Sequence, residues 1–195
     1  MKKLIFLIAV LLFAFGILAV SVVRTVAIEG QSSSQNYKLT TVNPAAVGEE
    51  TDYFLAYPGI LPDHFLYSLK MMRDRIWLWL TVEPLKKAEL MLLFADKRLG
   101  AGKVLIEGNK IDLGVSTLGK AEKYLQRALV QERITQKTDE EAKAFLEKLS
   151  KAASKHEEIL LSLMEKTGDS AKSVLGESLN LVRQSQAQIK QALNE

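Results

Sequence analysis

From Leu4 to Val23 the chain runs for 20 residues without a charge, with Lys2 and Lys3 before the run and Arg24 after it. As a helix this run is about 30 Å long, enough to cross the hydrocarbon core of a bilayer. A helix that is apolar on every face must otherwise be buried inside a large protein. A cleaved secretory signal has a shorter apolar region, of about 7–15 residues, and small residues at its cleavage site. Ala19-Val20-Ser21 and Thr25-Val26-Ala27 match that site only loosely. Residues 1–28 are therefore read as an uncleaved signal-anchor, with cleavage and secretion as the alternative. Lys2, Lys3 and the amino terminus outweigh Arg24, which predicts a cytoplasmic N-terminus and an extracytoplasmic remainder. No second run of this kind follows, so the chain is expected to be single-pass.

The formal charge of +3 comes from this segment. Beyond Arg24 the remaining 23 basic residues are matched by 23 acidic ones. A nucleic-acid partner requires a surplus of Lys and Arg on one face, so none is expected. Cysteine is absent, which excludes disulfides, thiol catalysis and Cys-based metal sites. Nearly half the residues are apolar (48%), enough for a core.

Residues 29–56 are rich in Ser, Gln, Asn, Thr and Gly and read as a flexible polar linker. The chain then stiffens. Tyr57-Pro58-Gly59-Ile60 fits a type II turn, with Gly59 supplying positive φ. Pro62 disfavours helix at Leu61, and Asp63 suits the N-cap of a first helix. From Phe65 the apolar spacing is helical, through Leu69, Met72, Ile76 and Trp79. Pro84 opens a second helix with Ala88, Leu92, Ala95, Leu99 and Ile106 on one face. Gly100 and Gly102 inside it suggest a kink or a close helix crossing, and Gly108-Asn109 a stop. A third helix covers about 110–133, with Leu118, Ala121, Leu125 and Ala128 on one face. Thr138 and Glu141 form a capping box for a fourth, whose stripe is Ala142, Phe145, Leu149, Ala152, His156, Ile159 and Leu163. A fifth, about 170–193, carries Val174, Leu175, Leu181, Val182, Ile189 and Leu193. The short link at Gly168 predicts an antiparallel hairpin. The fold class is all-α: an N-terminal transmembrane helix, a linker, and over 57–195 a four- to five-helix antiparallel bundle.

Motifs for chemistry fail one by one. "HEEIL" begins as a zinc-protease motif, but Leu160 replaces the second His. The residue three before His156 is Ala153, which removes a di-iron pattern. "GVSTLG" has its second glycine one position late for a nucleophile elbow, and "GAGK" lacks most of a phosphate loop. His156 reads as a core histidine bonded to a neighbour. The alternative is an ion or small-ligand site with Glu157 and Glu158. His64 reads as a first-turn surface residue. No catalytic residue, metal ligand or cofactor site is expected, and the chain is not read as an enzyme.

Trp77 and Trp79 point about 200° apart on a helix, so the turn holding them, with Ile76, Leu78 and Leu80, is apolar all round. Burial is the simplest reading. The alternatives are a partner-binding surface at Trp77 and Trp79, or contact with lipid headgroups.

Pro58, Gly59, Leu61, Pro62 and Asp63, then Tyr67, Leu69 and Lys70, then Pro84, Lys87, Ala88, Glu89, Leu90, Ala95, Arg98 and Leu99 carry a resemblance. They resemble the Pro-Gly-x-Leu-Pro-Asp, Tyr-x-Leu-Lys, Lys-Ala-Glu-Leu and Ala-x-x-Arg-Leu blocks of an uncharacterised bacterial and archaeal family. The likeness covers about 57–193. It implies a secreted or membrane-anchored helical domain and supplies no reaction. The functional expectation is therefore a membrane-tethered extracytoplasmic module with an interaction or structural role, partnered by the membrane and an envelope protein. An ion- or ligand-binding sensor is the alternative.

The anchor reading is checked by the intact mass of the exported product. The full-chain mass is expected; a product starting after Ser21 or Ala27 would mean cleavage.

Overall fold

The computed structural model describes residues 53–133 and 140–194. The expected signal-anchor at 1–28, most of the linker and Thr138 of the capping box lie outside them. Five helices are described: α1 Tyr67–Leu80, α2 Pro84–Glu107, α3 Ile111–Arg133, α4 Glu140–Lys166 and α5 Asp169–Asn194. Among the described residues there is no strand, and no helix is long and apolar enough to cross a membrane. Tyr53 and Leu55 already pack against the core, so the domain begins earlier than the expected boundary at Tyr57.

The ends of α2 follow from local chemistry. Pro84 occupies its first turn, where a missing N–H leaves no bond unmade. At its C-terminus Asn109 takes φ of 60°. Asn109 N–H then donates to the Ile106 carbonyl at 3.0 Å and Lys110 N–H to the Leu105 carbonyl at 2.8 Å. This is the Schellman pattern, with Asn where Gly is more usual. The chain reverses within three residues into α3.

The reversal brings α2 and α3 together at Gly102 and Gly114. A methyl group at Gly114 would stand 2.6 Å from Ile106 Cγ1 and 3.0 Å from the Gly102 carbonyl oxygen. One at Gly102 would stand 2.6 Å from Leu118. The absent Cβ atoms let the two backbones approach, as a close helix crossing requires, and α2 continues unbroken through the glycines. Beyond this contact Leu99, Leu118, Ala121 and Leu125 are fully buried.

α4 and α5 form the second hairpin. Every residue of the expected α4 stripe, His156 included, is buried. On α5 Leu175, Val182 and Ile189 are buried at heptad spacing, with Ser178, Leu179 and Ser185 between them; Val174, expected inside, is exposed. The antiparallel expectation describes each hairpin but not their union. The first turns of α2 and α4 lie side by side, where Leu85 and Lys86 share a depression with Glu141 and Phe145. Those of α3 and α5 meet likewise, through Ile111, Val115 and Ala171. Across the hairpins, neighbouring helices therefore run parallel. α2 is enclosed on most sides, with Leu90, Met91, Leu92, Phe94 and Ala95 buried in consecutive turns.

Gly114→Ala is expected to destabilise the fold by about 1–3 kcal/mol, because its new methyl meets backbone as well as Ile106. Gly176→Ala, with nothing within 4 Å of its would-be Cβ, is expected to stabilise by up to about 1 kcal/mol. Urea midpoints of the two variants check the opposite signs.

Candidate functional site

The entry segment is held by the residues after it. Gly59 has φ of 67°, as the expected turn requires. Lys70 on α1 reaches back and donates to the carbonyl oxygens of Pro58 at 2.7 Å and Ile60 at 3.0 Å. The ring of Pro58 lies on Gly100 of α2, 3.6 Å from where a Cβ would stand. Asp63 is not the N-cap of α1. Its carboxylate pairs with Lys110 in the α2–α3 turn at 2.5 Å, and this hydrogen bond holds its carboxyl below the usual range. An ammonium group is a stronger partner than the first-turn amides. The chain instead makes two turns over Pro62–Leu66, with the Leu66 N–H donating to Nδ1 of His64 at 3.1 Å. The helix therefore starts at Tyr67 rather than Phe65.

α1 then sits on α2 through Tyr67, Lys70, Met71, Asp74 and Leu78, with Arg73 and Arg75 exposed. Its buried residues are Asp74 and Leu78. Asp74 accepts from Arg73 Nη2 at 2.7 Å. Nearby the buried Arg98 stacks on Tyr124, 4.1 Å from the ring centroid, and donates to the Phe94 carbonyl at 3.0 Å. Its Nε has no hydrogen-bond partner. The expected core stripe of α1 faces the other way: Phe65 is 83% exposed and Trp79 80%, with Leu69, Met72 and Ile76 exposed between them and Leu80 exposed after them. Trp77 is 49% exposed, its ring edge-on to Phe94 at 6.5 Å. The stripe is outside because α2, the helix beneath, is already enclosed by its neighbours.

His156 lies at the centre of the bundle and is fully buried. Its Nδ1 is 2.9 Å from Glu122 of α3, and its Nε2 3.2 Å from Asp96 of α2. The second oxygen of Asp96 accepts from the Tyr53 hydroxyl at 2.8 Å. The expected acidic neighbours play no part: Glu157 accepts from Arg183 and Gln186, and Glu158 from Lys155. The ion site imagined with Glu157 and Glu158 is therefore not assembled. With a carboxylate already on each ring nitrogen, the imidazole has no lone pair to offer a metal. Among the described residues no group of three His, Asp or Glu is arranged to hold one.

The signal for this cluster was in the sequence. Asp96 stands four residues after Leu92, and Glu122 four after Leu118. Both acids occupy core positions of their helices, where a lone charge is expensive and must have a partner.

The sequence profile of a family described as a domain of unknown function, DUF5667, matches residues 59–194. The chain belongs to this family. No curated protein and no solved structure matches it. The DUF5667 match opens at the positive-φ glycine of the entry turn and closes on the last residue of α5, so the family unit comprises the turn, α1 and the four-helix core. No reaction comes with the family description.

Burial alone would lower the His156 pKa; the charge of Glu122 and the hydrogen bonds that the ring donates to Asp96 and Glu122 outweigh it and raise the pKa to about 9. Burial, reinforced by the Asp96 charge, raises that of the Tyr53 hydroxyl. For His156 the folded value exceeds the unfolded one, so the folded state binds the proton more tightly. The stabilisation is complete below about pH 6.5 and is lost as pH rises through about 9. It is on the order of 3 kcal/mol. Urea midpoints should fall between pH 6 and pH 10 in the native chain. His156→Ala, which leaves two carboxylates buried without their cation, should cost about 3–5 kcal/mol at pH 6 and flatten that dependence.

Proposed function

We infer that this chain is a membrane-tethered module of the cell envelope that works by docking rather than by catalysis, with the outer face of α1 as its contact surface. The observation that carries this reading is the exposed row Leu69, Met72, Ile76, Trp79 and Leu80 on a helix whose acid is buried, with exposed Phe65 in the turn before it. Scattered apolar residues on a surface need no explanation, but a contiguous row along a whole helix does. Trp is the residue most enriched where interfaces concentrate their energy. The tether is supported by the uncharged run at Leu4–Val23, and the extracytoplasmic placement by Lys2 and Lys3 before it. Cleavage at the anchor would release the same module into the exterior.

The test places a photo-crosslinking amino acid in the full chain at position 72 or 79, and at Glu147 on the exposed side of α4 as a control. Irradiated native membranes are expected to yield adducts, to protein or lipid, from positions 72 and 79 but not from 147. Equal yields from all three would remove α1 as the docking surface.

A further inference from the structure

At the start of α1 lies an open groove of about 610 Å³. Ile60, Leu66 and Leu69 form its apolar wall, and Lys70, Arg73 and Lys97 bring charge to it. That charge is poorly neutralised. Arg73 shares Asp74, and Lys70 ends on two backbone carbonyl oxygens. Among the described residues Lys97 has no acidic partner. The buried Arg98 adds a further positive charge nearby. The Lys70 ammonium feels this field: burial lowers its pKa, Asp74 opposes, and Lys97, Arg98 and Arg73 lower it further.

The groove is continuous with the exposed face, because Leu69 belongs to both. At 100° per residue the row Leu69, Met72, Ile76, Trp79 and Leu80 spans one side of α1, with Arg73 on one edge and Arg75 on the other. Apolar and Trp residues flanked by cations are the pattern of a helix lying in a membrane interface. A coil of some 25 residues, the length of the polar stretch after the apolar run, would span roughly 30 Å, a reach that would let α1 touch a bilayer occupied by that run.

The geometry points to α1 lying in the surface of an anionic bilayer, its Leu69–Met72–Ile76–Trp79 face among the acyl chains and a phosphate-bearing lipid headgroup in the groove at Lys70, Arg73 and Lys97. This inference rests on the docking reading above and names its partner. An acidic phospholipid supplies both things the site lacks: negative charge for the groove and an apolar medium for the row beside it. A free anion would satisfy only the first.

Trp77 and Trp79 are the two tryptophans of the chain, so their emission reports α1 whatever the anchor does. The full chain is reconstituted in vesicles of phosphatidylcholine brominated along its acyl chains, with or without phosphatidylglycerol. Bromine is expected to quench most of the emission when phosphatidylglycerol is present and much less when it is absent. High salt should shrink that difference. Arg75→Glu with Lys97→Glu should abolish it while the helical circular dichroism is unchanged, and Leu69→Ser with Met72→Ser should prevent quenching in both lipids. Inorganic phosphate, at matched ionic strength, should leave the quenching unchanged; release of α1 by phosphate assigns the groove to a free anion and overturns the headgroup. Equal quenching with and without phosphatidylglycerol also overturns it. No quenching in either lipid overturns membrane docking. If positions 72 and 79 then still crosslink to a protein or to a second copy, the docking reading survives with a different partner; if they do not, both fall.

Discussion

A histidine shielded from water at the centre of a bundle must find partners for both ring nitrogens, and His156 finds a carboxylate for each. The two acids come from different helices, Glu122 of α3 and Asp96 of α2, while His156 itself is on α4. Three helices are thereby fixed in rotation as well as in distance, because turning any one of them would strand a buried charge. Tyr53 extends the constraint to the incoming chain through the other oxygen of Asp96. Apolar contacts alone are less selective, since neighbouring rotations of a Leu-rich helix bury similar areas.

The position of α2 follows from that arrangement and governs α1. α2 meets α3 through the glycine contact, α4 through the Asp96–His156 pair, and is buried along most of its length. The helix that precedes it finds only the edge of α2 free. There it settles with Asp74 and Leu78 inward and its more apolar side outward. Lys70 on the Pro58 and Ile60 carbonyls and Asp63 on Lys110 hold this placement from the entry side. The exposed row is thus a consequence of how the core is filled, and it gives the domain its most distinctive surface.

Much of the fold was legible in the residues. The α4 stripe reads off the sequence without error, and so do Pro84 as a helix start and Gly108-Asn109 as its end. These depend on interactions within a few residues, which sequence displays directly. Of Gly100 and Gly102, which suggested a kink or a close crossing, Gly102 makes the crossing, with Gly114 as a partner that no local pattern marked, while Gly100 lies against Pro58. Two readings failed for one reason. Asp63 looked like an N-cap and the α1 stripe looked like core, because each fits a local pattern; a lysine 47 residues away and an already enclosed α2 changed both.

What the sequence determined by itself is the set of helices, where most of them begin and end, and which of their faces are apolar. Those properties come from backbone hydrogen bonding and a 3.6-residue period, both local. What only the tertiary structure decided is which apolar faces are buried and which charges meet. His156 is 34 residues from Glu122 and 60 from Asp96 in the chain, and no spacing rule connects them. Core space is shared among all the helices at once, so a stripe that would be buried in isolation is left outside when another helix already fills the place. For α1 that competition is the difference between a core element and an exposed apolar face.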